Sequence, residues 1–340
     1  MIYFNRTFVS ALLLTFAAAT SFAAETKVLK FATIAPDGSS WMKTMTALNE
    51  ELQQKTNGAV KFKFYAGGVS GDEKDVVKKV RIGQLHAAGF TGVGLGEIAP
   101  EVRILDAPWL FKSDKEVDYI YKTFAKQLSD AIEKAGYVLL GWTELGPVHV
   151  FTQAPLKEPE DMKNQKMWVW EGDPIAQAAY QALDVSPIPL SIVDVMSSLQ
   201  TGLINGVYGP PMGVVALQWF QRAKYIYPVP MARSAGAILL SKKAFDDLSP
   251  ENQKILLEVA GRHLKKLNEQ SRQENVDALK SLQKQGLTIT PAPSAATMAR
   301  LDELGKKARR GLAGKLYSEK LLDAVEKSLA ELRGGKAKKG

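Results

Sequence analysis

The residue types that catalyse reactions are scarce in this chain of 340 residues. Its histidines are His86, His149 and His263, and it has no cysteine. No histidine lies in an H-E-x-x-H zinc motif, and no serine lies in a G-x-S-x-G nucleophile motif. The lack of cysteine excludes disulfides, thiolate metal sites and a cysteine nucleophile. We therefore expect no enzyme, no bound metal and no cofactor.

Two other patterns that suggest chemistry have the wrong spacing. In the glycine-rich segment GFTGVGLG, Glu97 stands where a dinucleotide-binding G-x-G-x-x-G motif needs its third glycine. Neighbouring acids such as Glu50 and Glu51 point away from each other on a helix. They are typical of a solvated helix face and not of a general acid paired with a general base.

The aromatic residues of the segment NQKMWVWEGDP offer a different kind of chemistry. If KMWVW is a strand, its period of two puts Lys166, Trp168 and Trp170 on one face and Met167 and Val169 on the other. Two indoles on one face serve either a core or the wall of a ligand site. Periodicity alone leaves both interpretations open.

The elements that must position these residues alternate between strands and helices, which predicts an α/β fold. Gly209, Pro210 and Pro211 predict a loop. The strand candidates are residues 28–35, 59–68, 85–94, 137–144, 149–152, 166–170 and 235–240. The helix candidates are residues 39–58, 71–83, 114–135, 174–183, 192–206 and 249–286, the last with Ser249 as N-cap and Pro250 at its first position.

The order of these elements suggests a chain that builds one lobe, builds a second and returns to the first. A cleft between the lobes is then the natural ligand site. The expected divisions are a signal peptide (1–23), a first lobe (24–147), a second lobe (148–234), a return strand with a long spanning helix (235–290), and C-terminal helices with a basic tail (291–340).

The first residues have the features of a secretory signal peptide. Arg6 precedes an apolar run from about Phe8 to Ala19, and Ser21 and Ala23 fit the small residues at a cleavage site. We expect a soluble periplasmic protein that is not a lipoprotein, because no cysteine follows the signal. The formal charge of +8 is dispersed along the helices, so no nucleic-acid partner is expected.

Seven blocks, in this order, resemble the extracytoplasmic solute-binding proteins of tripartite ATP-independent periplasmic (TRAP) transporters, the DctP-like family. The resemblance covers about residues 29–269. It implies two lobes with mixed sheets joined by crossing strands, a helix spanning both lobes, and a cleft that closes on one small molecule. It also implies delivery to the small and large membrane subunits of a TRAP permease. We expect the protein to be a monomer or weak dimer. The blocks are LKFATIAPDGSSW, YAGGVSGDEKDVVKKVRIGQLHAAG, VRILDAPWLF, LLGWTELG, PLKEPEDMKNQKMWV, SLQTGLINGVYGPP and SKKAFDDLSPENQKILLEVA.

Two motifs depart from what the resemblance implies. The family motif "lysine, apolar, arginine, valine" supplies a carboxylate-binding arginine, and Trp168 stands at that position. Where the family commonly has a glutamate and a ligand-facing asparagine before a proline, this chain has Tyr208 and Gly209. Arg103 and Arg233 are the arginines that could take over the lost role.

These departures predict a ligand that is hydrophobic, aromatic or cationic, and not a simple carboxylate. A carboxylate buried without a guanidinium loses several kcal/mol of hydration, whereas aromatic rings favour apolar groups or cations.

Some of these assignments have alternatives. Trp170 could face the core, and His149 could pack inside the protein and not line the cleft. Lys166 faces the cleft only if its strand is regular. An alternative is a non-transporting periplasmic interaction or efflux-associated protein that keeps the fold. The candidate ligand-binding residues are Thr91, Trp142, His149, Trp168, Trp170, Leu190, Tyr208, Gly209, Met212 and Trp219.

Overall fold

The computed structural model describes residues 26–335. The predicted signal peptide and the last five residues of the basic tail lie outside this range. The strands are β1 Lys27–Ala32, β2 Val60–Tyr65, β3 Ala87–Thr91, β4 Tyr137–Thr152, β5 Trp168–Trp170, β6 Ile188–Leu190, β7 Gly206–Gly209, β8 Tyr225–Ile226, β9 Ala232–Ser241 and β10 Thr288–Ile289. The α-helices are α1 Ser40–Lys55, α2 Glu73–Arg81, α3 Gly92–Ile98, α4 Asp114–Lys134, α5 Pro174–Ala182, α6 Val195–Thr201, α7 Pro211–Ala216, α8 Lys242–Asp246, α9 Pro250–Lys284, α10 Ala295–Leu312 and α11 Glu319–Arg333.

Strands β4 and β9 cross between two sheet regions. The strand order is β10-β8-β4-β9-β3-β1-β2, and β7 also pairs with β4. The first lobe contains β1, β2 and β3, where β1 is parallel to both neighbours and β3 is antiparallel to β9. Tyr137–Val148 of β4 pairs with β9, and His149–Thr152 pairs with β7 of the second lobe. The predicted α/β fold with mixed sheets and crossing strands is thus confirmed.

The long helix α9 contributes to the cores of both lobes. Its 35 residues extend about 50 Å at the usual helical rise. Leu256 and Leu264 pack in the first-lobe core with β1 and α1. Leu282, near the other end, packs in the second-lobe core with Trp168. The helix begins as predicted, because Ser249 accepts a hydrogen bond from the Asn252 amide and Pro250 follows it.

Four local predictions were wrong. The helix predicted at 192–206 is a 3₁₀ turn, Ile192–Asp194, followed by α6, which ends at Thr201 because Gly202 takes the left-handed conformation. Residues 92–94 begin helix α3 and do not extend a strand, because the Thr91 hydroxyl accepts the Val93 amide and caps the helix. Pro211 begins helix α7, where a loop was predicted, since proline is well suited to a first helical position. The separate strands at 137–144 and 149–152 are one strand, β4.

The predicted lobe boundaries at 148 and 235 fall inside β4 and β9. Strand β4 has partners in both lobes, since it pairs with β9 and with β7 and β8 of the second lobe. The division of the chain stays a prediction. Within residues 26–335, no helix combines the length and the apolar character that a membrane span requires.

Candidate ligand-binding cavity

A cavity of about 700 Å³ lies between the two lobes. The first lobe contributes the loop before α1 and the turn from β3 into α3. The second lobe contributes β5, the start of α5, the end of β7 and helix α7. One face of α9 closes the cavity at the side. Small-molecule sites commonly have volumes of about 300–1,000 Å³, so this cavity has room for one small ligand.

Four aromatic residues of the second lobe form what we call the aromatic wall: Trp168, Trp170, Tyr208 and Trp219. The Trp168 ring stacks on Tyr208 with a centroid distance of 4.9 Å and meets Trp219 edge-on at 5.3 Å. Its Nε1 donates to the Leu190 carbonyl at 3.0 Å. Trp168 exposes only 1% of its surface, whereas Tyr208 is half-buried. Trp168 is therefore the buried centre of the wall, and Tyr208 offers more of its ring to a ligand.

The alternation of β5 is what aims both indoles at the cavity. Trp168 and Trp170 pack in one second-lobe core, and Met167 and Val169 pack in a separate core beneath α5 and α10. The predicted division of faces is thus confirmed for these four residues, but not for Lys166, which precedes β5. Lys166 turns away, and its Nζ donates to the Gly202 carbonyl at 3.0 Å.

Trp170 also connects the two lobes. Its Nε1 donates to Oδ2 of Asp72, the N-cap of α2 in the first lobe, at 2.9 Å. The same oxygen accepts the Ser191 hydroxyl at 2.6 Å and the Ile192 amide at 3.3 Å. Because all three donors belong to the second lobe, Asp72 joins the two lobes at one edge of the cavity. We call these three hydrogen bonds the Asp72 latch.

Arg103 forms a second, buried connection between the lobes. It lies on the 3₁₀ helix Pro100–Asp106 and is 3% exposed. Its Nε donates to Asp106 Oδ2 at 2.9 Å, and its Nη2 donates to Asp173 Oδ1 at 2.8 Å. Burial disfavours the charge, but the two carboxylates outweigh it and raise the pKa of Arg103. Burial also raises the pKa of Asp106 to about 6, despite the neighbouring guanidinium.

The first-lobe turn at Thr91 is held by a buried acid. Glu73 Oε1 accepts the Thr91 amide at 2.8 Å, and its Oε2 accepts the Thr91 hydroxyl at 2.9 Å and the Gly94 amide at 2.7 Å. Burial raises the pKa of Glu73 to about 7, although these hydrogen bonds act in the opposite direction. Thr91 therefore lines the cavity with a hydroxyl already bound to Glu73.

The charges around the cavity are mostly negative. Among the described residues that line it, the two positively charged side chains are Arg103 and Arg233. Arg233 is paired with Asp114 and, at 3.4 Å, with Glu144. The acids of the lining are Asp37, Asp106, Glu144, Asp173, Glu274 and Asp277. Both arginines are thus bound by carboxylates of the protein itself.

Most of the predicted site residues meet at this cavity: Thr91, Trp168, Trp170, Tyr208, Gly209, Met212 and Trp219. Three others lie elsewhere. Trp142 packs edge-on against Tyr121 at 5.6 Å, beside the first-lobe core. His149 is 7% exposed, its Nδ1 donates to the Tyr227 carbonyl at 3.0 Å, and burial lowers its pKa. Leu190 meets the wall through its carbonyl, which accepts from Trp168.

The polar residues at the cavity were mostly missed by sequence reasoning. Asp72 and Asp173 are helix N-caps, and Asp173 precedes Pro174, so both are typical of helix starts. Nothing in the local pattern reveals that Asp173 also binds a guanidinium 70 positions away. Within residues 26–335, no group of three or more His, Asp or Glu side chains is arranged to hold a metal ion.

Comparison with known proteins decides the family. Residues 31–310 match the model of the DctP family, described as bacterial extracellular solute-binding protein, family 7. The chain belongs to this family. The resemblance to TRAP solute-binding proteins is thereby confirmed.

Several known proteins are similar over most of this chain. It is 27% identical over 240 residues to the 2,3-diketo-L-gulonate-binding periplasmic protein YiaO of Escherichia coli, covering 68% of this chain and 72% of YiaO. It is 22% identical over 310 residues to the C4-dicarboxylate-binding periplasmic protein DctP of Rhodobacter capsulatus, covering 91% and 92%. Among solved structures, a TRAP periplasmic solute-binding protein from Polaromonas sp. JS666 bound to D-erythronate superposes with a TM-score of 0.81 at 19% identity, covering 89% and 98%. The two-lobed fold is therefore shared.

Proposed function

We propose that this chain is a periplasmic solute-binding protein that captures one small ligand in the interlobe cavity and delivers it to a TRAP permease. Membership of the DctP family and the interlobe position of the cavity support this role. The proposed ligand is hydrophobic, aromatic or cationic. The open volume of the cavity favours ligand capture over a cleft filled by its own side chains.

The observation that carries the ligand class is the state of the two cavity arginines. Arg103 is held by Asp106 and Asp173, and Arg233 is held by Asp114 and Glu144. A ligand carboxylate entering the cavity would meet neutralised guanidiniums and further acids. Desolvation of that carboxylate costs several kcal/mol unless a positive charge offsets it.

The aromatic wall supports the same ligand class from the other side of the cavity. A large ring buries about 150–250 Å² and prefers stacked or edge-on partners. A cation over such a ring gains roughly 0.5–2 kcal/mol. The relatives are named for 2,3-diketo-L-gulonate and C4-dicarboxylates, and the Polaromonas protein is bound to D-erythronate. We propose that Trp168, where the family resemblance implies an arginine, separates this chain from them in specificity.

Thermal-shift assays with ligands that differ only in charge test the ligand class. We expect 3-phenylpropanol or 3-phenylpropylamine to raise the melting temperature more than 3-phenylpropionate does. We expect succinate, malate, pyruvate and sialic acid to have no effect at millimolar concentration. Because a ligand stabilises a protein according to its concentration relative to Kd, a shift of several degrees with any of these acids would overturn the proposed class.

Two tryptophan variants provide a matched control for the site. Trp168→Phe changes the buried centre of the aromatic wall, whereas Trp142→Phe changes an indole beside the first-lobe core. We expect only Trp168→Phe to weaken binding of the ligand found in the screen. Equal effects of the two variants would mean that the ligand binds elsewhere. Mass spectrometry of protein purified from its own periplasm can then identify the natural ligand.

A further inference from the structure

Arg103 is the deepest positive charge at the cavity, and its two partners differ in origin. Asp106 lies three residues later on the same 3₁₀ helix, and its Oδ1 accepts the Ala235 amide at 2.7 Å. Asp106 is therefore built into the first lobe. Asp173 comes from the second lobe and reaches Arg103 across the cavity at 2.8 Å.

The position of Asp173 makes it equivalent, in chemistry, to a bound carboxylate. Only 6% of the residue is exposed, and its Oδ1 accepts from Arg103 Nη2. A carboxylate on a guanidinium is the pair that an anionic ligand would have to form. The protein already forms this pair between its own lobes.

Asp173 also positions part of the aromatic wall. Its Oδ2 accepts the Tyr208 hydroxyl at 3.3 Å, and the Tyr208 ring stacks on Trp168 at 4.9 Å. The Tyr208 hydroxyl in turn accepts the Trp170 amide at 3.2 Å. The Asp173 carboxylate thus binds the buried guanidinium of Arg103 and also positions Tyr208, the most exposed ring of the aromatic wall.

We propose that Asp173 is a specificity-determining residue that excludes anionic ligands by occupying Arg103. This inference rests on the proposed function. In this arrangement, the two lobes close through the ion pair of Arg103 with Asp173, and the ligand supplies apolar contacts instead of a negative charge. Removing the Asp173 charge should therefore open the cavity to carboxylates.

Asp173→Asn is the variant that tests this role with the least disturbance. Asp173 is the N-cap of α5 and accepts the Ile175 amide at 3.1 Å. Asparagine caps helices as well as aspartate does, and its amide oxygen can still accept from Arg103 or Tyr208. In calorimetric titrations we expect the Kd of 3-phenylpropionate to fall at least about tenfold relative to the unaltered protein, since guanidinium–carboxylate pairs are strong. The Kd of 3-phenylpropanol should not fall, because an uncharged ligand gains no ion pair with Arg103.

Two controls assign the gain to Arg103. Asp106→Asn removes the same charge from the other partner, but it leaves Asp173 on the guanidinium, so we expect no gain of carboxylate binding. In the double variant Arg103→Gln/Asp173→Asn, the gain should disappear. A gain that persists without Arg103 would overturn the inference.

A folded Asp173→Asn protein that binds 3-phenylpropionate no better than the unaltered protein would also overturn it. If that variant does not fold, Asp173→Ser, which keeps an N-cap and vacates more space, must show the gain. These outcomes are separate from the proposed function. Tight carboxylate binding by the unaltered protein contradicts the proposed ligand class, whereas failure of the variants contradicts only the role of Asp173.

Discussion

Trp168 has two structural roles, because it is both a core side chain and part of the cavity wall. It is 1% exposed and lies between Tyr208 and Trp219, yet it borders the cavity. The indole Nε1 is satisfied by the Leu190 carbonyl. A substitution here therefore changes both stability and ligand class, and the two effects must be measured separately.

Trp168→Arg is expected to exchange one ligand class for the other. Without ligand, the variant should unfold more easily by about 3–5 kcal/mol, because packing is lost and a guanidinium is buried without a counter-ion. A bound carboxylate supplies that counter-ion, so succinate or 3-phenylpropionate should raise the melting temperature of the variant. Trp168→Met is the control, because it removes the indole without adding charge and should gain no carboxylate binding. A folded Trp168→Arg protein that ignores carboxylates would contradict this prediction.

Sequence reasoning at this scale found the aromatic residues and missed their polar partners. The indoles were predicted from a period of two and from a family resemblance, both of which are local signals. The bond from Trp170 to Asp72 joins residues 98 positions apart, and Tyr208 meets Asp173 across 35 positions. Such pairings depend on how the lobes come together, which no local pattern specifies.

At the scale of elements, the contact between β4 and α9 fixes the strand that crosses the lobes. Asn275 of α9 donates through Nδ2 to the Leu145 carbonyl at 2.8 Å and accepts the Met212 amide at 3.1 Å. It is 2% exposed and so holds β4, α7 and α9 together. Gly146 lies beside it with φ of 108°, a backbone conformation that favours glycine.

Gly146→Ala should therefore destabilise the protein by about 2 kcal/mol or more. A Cβ at this position would overlap the side-chain amide of Asn275, and alanine adds strain at positive φ. Gly261→Ala is the matched control on α9, where a Cβ meets nothing within 4 Å. It should stabilise the protein by about 0.5–1 kcal/mol, because alanine favours a helix. Urea unfolding measures the change in the free energy of unfolding for both variants. Equal changes would contradict the requirement for glycine at position 146.

The same strand explains why elements were predicted unevenly. Helices α1, α4, α5 and α9 were predicted nearly to their ends, because capping residues and the helical period mark them. In β4, irregular register occurs between Leu139 and Gly141 and again between Glu144 and Gly146. These bulges interrupt the alternation of period two, so one long strand gave the pattern of two short ones.

At the scale of the whole molecule, the two lobes are joined by the crossing strands, by α9 and by polar bonds across the cavity. The strands and the helix are continuous backbone and persist whether the lobes are close or apart. In the proposed function the lobes separate and close, and separation would break the bonds of Asp72 and of Arg103 with Asp173, which join the two lobes. A ligand shifts the equilibrium between separated and closed lobes by binding the closed form more tightly. The interlobe bonds therefore determine how much of the free energy of closure the ligand must contribute.

Asp72→Ser isolates the contribution of the latch to closure. Serine can still cap α2, where Asp72 Oδ1 accepts the Lys74 amide, but its shorter side chain cannot reach Trp170 and Ser191. We expect small-angle scattering to show a larger radius of gyration for the ligand-free variant, and titration to show a several-fold higher Kd, since less of the protein is in the competent form. Asp75→Ser, in the exposed first turn of the same helix, should change neither quantity. If ligand-free Asp72→Ser is as compact as the unaltered protein and binds ligand equally well, the latch does not contribute to closure.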